Sequence, residues 1–142
     1  MTAQKEGGQA MSIKDFVRPT LFVSITKVMR EGENGKKPNQ VSDVDWARGY
    51  WLLNAAKKIQ CQWLAAVNAD EIVGIWEIDM SFGWKAPLQE KIKMRNPGKV
   101  DSRRNVCRVI PNSDSKFKKF IGQRMSSIDG LGSMSGPVRY SF

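Results

Sequence analysis

Trp46-Ala47-Arg48-Gly49-Tyr50-Trp51 sets two indoles, a phenol and a guanidinium within six residues. Such groups can stack on a flat ring, hold its edge and reach a phosphate, and they do not run a reaction alone. The chemistry expected of them is binding of a base or a nucleotide. Trp84 stands in an irregular stretch beside Lys85, a pairing suited to a pocket wall. Trp46, Arg48, Tyr50 and Trp84 are therefore the candidate base-binding residues. Each has an ordinary alternative: the rings fill a core or plug one end of it, and Arg48 pairs with Asp45 or Glu77. Trp51, Trp63 and Trp76 are assigned to the core.

The formal net charge is +9. Between Lys85 and Arg124 there are twelve Lys or Arg and three acids, so this one segment carries the whole excess. Segregated basic charge points to a polyanion, or more plainly to a solvated surface. Lys85, Lys91, Lys93, Arg95, Arg103 and Arg104 are the candidate phosphate contacts.

The chain has no histidine. That removes the Ser-His-Asp triad, the Cys-His pair and the commonest metal ligand. No carboxylates stand at metal-loop spacing. The expectation is a chain that is not an enzyme, with no catalytic residue, no metal and no cofactor. No apolar run approaches the roughly 20 residues that span a bilayer, and Met1 to Gly8 lacks an apolar signal core. Neither a membrane nor secretion is expected. Cys61 and Cys107 read as free, buried thiols of a cytoplasmic protein.

A length of 142 residues suits one domain. Residues 1–11 read as a disordered tail and residues 12–142 as the domain. Ser12 to Phe16 suggests a helical turn. Thr20 to Thr26 is rich in β-branched and aromatic residues and reads as a strand. Glu31 to Gln40 reads as a loop. Ser42 with Asp43 and Asp45 signals a helix start. Val44, Ala47, Trp51 and Ala55 then share one face of a helix that closes near Lys57 and Lys58. Gly49 lies inside it and implies a close backbone approach or a break. Cys61–Val67 and Glu71–Asp79 form a hairpin around Asn68-Ala69-Asp70. Its Ile72, Gly74, Trp76 and Ile78 face is expected to be the more buried. Asn105–Ile110 is a further strand, and a short helix from Ser115 to about Met125 is anchored by Phe117, Phe120 and Ile121. A flexible Gly/Ser loop over Ser126–Gly136 and a last strand over Val138–Phe142 close the chain.

The order of these motifs resembles a bacterial and phage branch of the PUA-like superfamily, which also holds the EVE, YTH and ASCH domains. The residues carrying the likeness are Ala47, Arg48, Gly49 and Trp51, then Trp76 and Ile78, then Trp84. Later come Arg103 or Arg104, Phe120-Ile121-Gly122 and Pro137-Val138-Arg139-Tyr140. The likeness runs from about Thr20 to Phe142. It departs from the pattern in the long basic stretch Lys85–Lys99, in Val106-Cys107-Arg108 where an aromatic is expected, and in the Gly-rich loop before the last strand.

The resemblance implies an α+β fold, a partial β-barrel of five to six strands with short helices packed outside. It also implies a module that binds RNA or single-stranded DNA, with one base, often modified, in an aromatic pocket. The rival readings are a small-nucleotide binder or sponge in phage–host conflict, and a protein-interaction or inhibitor domain with a basic face. A hydrolase stands behind these.

Overall fold

The first strand, β1 (Thr20–Ser24), is Thr-Leu-Phe-Val-Ser, and its first four residues are buried. Such a run suits a strand covered on both faces, and the computed structural model places it inside a four-stranded sheet. It describes residues 11–27, 42–92 and 97–142. The tail expected over residues 1–11 lies outside them except for Met11, whose carbonyl accepts from the Asp129 N–H at 2.9 Å. The loop expected over Glu31–Gln40 also lies outside the described residues.

β1 pairs in parallel with β3 (Trp63–Asn68) and antiparallel with β6 (Val138–Tyr140). β3 pairs with β4 (Glu71–Glu77), which completes the order β4-β3-β1-β6. The hairpin expected between β3 and β4 is present. Its two turn residues, Ala69 and Asp70, have φ of 50° and 72°, the left-handed pair that matches the twist of a two-residue hairpin.

One detail of that hairpin is corrected. The register slips after Ala66, where Val67 pairs with Ile72 and Ala66 with Gly74. A bulge turns alternate side chains over. Ile72 and Ile75 therefore enter one core cluster while Val73, Trp76 and Ile78 enter the other. Gly74 lies under the Trp76 indole, where an added Cβ would stand 2.8 Å from Cζ2.

The sheet is packed on both sides. Leu21, Val23, Leu64 and Ala66 point to the first cluster. Phe22, Ala65 and Val67 point to the second. The second cluster is closed by Phe117 and Phe120 from a 3₁₀ segment, Ser113–Phe120, and by Met125, Ile128 and Leu131. The expected α-helix is thus a tighter 3₁₀ segment. Ile121, expected to be an anchor, is 43% exposed. Ile128 and Leu131 fasten the Gly/Ser loop to the core.

The first cluster is closed by α1 (Asp43–Ala47) and by a second, two-stranded sheet of β2 (Gly49–Trp51) and β5 (Asn105–Val106). The expected single helix is broken here. Ser42 caps α1, its Oγ accepting from the Asp45 N–H at 3.3 Å. The chain then leaves the helix, because Gly49 pairs with Val106 in a strand. An added Cβ on Gly49 would stand 3.0 Å from Val106 Cγ2. Asn54 starts α2 (Ala55–Lys58), its Oδ1 accepting from the N–H groups of Ala56 and Lys57. The fold is mixed α+β, and the described residues form six strands in two sheets with no closed barrel.

Candidate nucleic-acid interface

Trp46 is 0% exposed and Tyr50 3%. The expectation that these rings stack on a base is corrected: no face of either is open to a ligand. The reason is the break at Gly49. In one continuous helix Trp46 and Tyr50 lie beside the apolar stripe. With the chain bent into β2, Trp46 drops into the first core cluster and Tyr50 packs with Ile92 and Val106. Tyr50 is fixed at its hydroxyl, which donates to the Glu90 carbonyl and accepts from the Ile92 N–H, both at 3.2 Å. Trp51, assigned to the core, is 6% exposed and donates to the Ala47 carbonyl.

Arg48 follows the ion-pair alternative. Its Nε donates to Asp45 at 2.8 Å, and its Nη1 to Glu90 at 2.9 Å and to the Cys107 carbonyl at 3.1 Å. Burial pulls its pKa down, and the bonds to the two carboxylates outweigh that and hold it above its ordinary value. At Glu90 burial pushes the pKa up. The bonds from Arg108 and Arg48 overcome this and hold the carboxyl below its ordinary 4.5. Arg48 is thus a clamp tying α1 to the 85–92 segment and β5, and is not offered to a phosphate. Cys107 beside it and Cys61 are both free and buried. Burial pushes the Cys61 thiol up to about 12 and the Cys107 thiol up as well, so neither is a ready nucleophile.

Trp84 is half-buried against the first core cluster, with its Nε1 buried and without a protein partner. Lys85 next to it is exposed, while its backbone pairs with Val106. Nearby, the Arg108 guanidinium lies 4.3 Å from the centre of the Phe82 ring and bonds to Glu90 at 3.0 Å. Lys91 is exposed; Lys93 and Arg95 lie outside the described residues.

Arg103 and Arg104 lead to a second grouping. Arg104 donates to the Tyr50 carbonyl at 3.1 Å. The Arg103 Nη2 bonds to Asp101 at 2.7 Å, and hydrogen bonding from Arg103 holds that carboxyl down at about 2. Asn105 then joins this turn to α2: its Nδ2 donates to the Trp51 carbonyl, and its Oδ1 accepts from Lys58 Nζ at 2.9 Å. Lys57, beside Lys58, donates to the Phe142 carbonyl at 2.8 Å and lies 5.1 Å from the centre of the Tyr140 ring. A line of contacts therefore runs from the last strand through α2 to Arg103 and Arg104.

In the sequence, Lys57 and Lys58 read as cations suited to a helix C-terminus, and so they are. Their place beside Arg103 and Arg104 was hidden, because it depends on β2 pairing with β5 across about fifty residues of chain. One signal was available. Segments 46–69, 102–113 and 130–142, which meet here, contain no Asp or Glu.

Of the ten described Lys and Arg between Lys85 and Arg124, nine are exposed; Arg104 is half-buried. They do not form one field. Lys116 pairs with Glu77 and Arg124 lies 3.6 Å from Asp70 on the side of the second core cluster. Among the described residues no helix is long and apolar enough to cross a membrane. No family model, no curated protein and no solved structure matches the chain.

Proposed function

We propose that this chain is a non-enzymatic nucleic-acid-binding protein that holds phosphates on the surface made by Lys57, Lys58, Arg103 and Arg104. One observation carries this reading. Three segments distant in sequence meet at this surface, and none of them contains an Asp or Glu. Among the described residues four cations stand there against one acidic side chain, Asp101. Cations from separate elements with little counter-charge, Arg103 exposed and Lys57, Lys58 and Arg104 half-buried, suit a phosphate backbone. RNA and single-stranded DNA are the proposed partners.

The fold is read further as a partial barrel of PUA-like type. The Ile78–Val109 bridge, which joins the residue just after β4 to the chain following β5, supports it. The free, buried Cys61 and Cys107 suit the reducing cytoplasm.

The test is fluorescence anisotropy with labelled oligo-uridine and oligo-thymidine of about twelve nucleotides, within the usual site size. Salt is raised from about 50 to about 200 mM. Three phosphate contacts at about 0.7 each give a slope of log K against log salt near about −2. Replacing Lys57, Lys58, Arg103 and Arg104 together by Gln removes most of that slope. Affinity indifferent to salt, or unchanged in the fourfold variant, overturns the reading. So does a mononucleotide that competes as well as the oligomer.

A further inference from the structure

Among the described residues, which include every aromatic of the chain, Phe142 is the one aromatic side chain that is exposed, at 40%. The other rings are buried or half-buried. Phe82, half-buried, has the Arg108 guanidinium over its face. Phe142 is also not a loose ring. Its carbonyl accepts from Lys57 Nζ. Its ring meets Tyr140 edge to face, with centres 5.8 Å apart and planes at 73°. Tyr140 is itself fixed, packing against the first core cluster while its hydroxyl accepts from the Asn54 N–H at 2.9 Å. Lys57 Nζ lies over the Phe142 ring, 5.5 Å from its centre, so a cation and an exposed ring are held together.

We propose that Phe142, braced by Tyr140, is a base-stacking platform at one end of the Lys57–Lys58–Arg103–Arg104 surface, which therefore takes single-stranded nucleic acid in preference to duplex. This deepens the phosphate reading and rests on it. A nucleotide carries a flat face and a phosphate close together. A protein edge with a held ring and an adjacent ammonium group presents the complement of both. In a duplex the base faces are buried against one another, so the ring has nothing to cover. Aliphatic side chains near α2, Leu52 at 46% and Ile59 at 69% exposure, add apolar surface and no stacking face.

The experiment compares wild type and Phe142→Ala on oligo-thymidine, oligo-uridine, a thymidine–adenosine duplex and an abasic oligomer of equal length. The expected result is a wild-type preference for both single strands over duplex and abasic oligomer. Phe142→Ala then loses about fivefold or more on single strands, the lower end of one base stack. Its duplex affinity and salt slope stay as they were. Phe142→Trp, which keeps a ring, retains single-strand affinity. The abasic oligomer binding wild type as tightly as oligo-thymidine overturns the platform without needing any variant. Equal losses on single strand and duplex do the same. These outcomes stand apart from failure of the phosphate reading, which appears as salt-insensitive binding by wild type. A difference between the thymidine and uridine arms separates DNA from RNA.

Discussion

Two regions of this molecule have nearly the same chemistry and opposite fates. Trp46 to Trp51 and the grouping of Tyr140, Phe142, Lys57 and Lys58 each combine rings with cations. In the first, Trp46 is wholly buried and Arg48 is spent on Asp45 and Glu90. In the second, Phe142 is open, Lys57 bonds to the Phe142 backbone oxygen and Lys58 to the Asn105 amide oxygen. Residue type is common to both, and what separates them is depth and counter-charge. A ring under a sheet contributes burial, whereas a ring at its margin can receive a ligand. A cation between two carboxylates holds elements together, whereas one facing no acid attracts an anion.

Trp46→Ala is the strongest test of that contrast. Removing a buried indole costs about 3–5 kcal/mol, measured by denaturant unfolding. The folded fraction should still bind oligonucleotide as wild type does. Normal stability with lost binding would return the ring to a ligand site. Arg48→Met comes next. It leaves Asp45 and Glu90 without their shared partner, at a cost of about 3 kcal/mol for a half-buried network. If it lowers oligonucleotide affinity and spares stability, the clamp is in truth a phosphate contact.

The smallest effect is an acid one. The Glu90 carboxyl titrates below 4.5 when folded and at 4.5 when free. Its pairing with Arg48 and Arg108 therefore stabilises fully above pH 4.5 and is lost as pH falls through the lowered folded value. Unfolding across an acid series should show a shallower loss in Glu90→Gln than in wild type. Identical acid slopes would mean that Glu90 is not held by these arginines.

Much of the strand framework was legible before any coordinates. Thr20 to Ser24, the hairpin around Ala69-Asp70 and the last strand announce themselves through β-branched runs and turn formers, which are local signals. Asn54 even carries the cap that starts α2, although an apolar stripe running past it suggested one long helix. That stripe misled because Gly49 carries a similar local penalty in a helix and in a strand, and Val106, far along the chain, decides the matter. The buried rings followed from that single break. Gly74 and the bulge at Val73 were hidden for a similar reason, since register belongs to the pair of strands and not to either one.

The sequence by itself determined composition and sign: an excess of nine positive charges, no histidine, and three stretches without Asp or Glu. It also determined the local elements, because propensity, capping and turn chemistry act within a few residues. Only the tertiary structure decided which aromatic is open and which cations are unspent. Exposure and pairing arise from segments meeting across the fold, and a chain read in order carries no distance between Lys58 and Asn105.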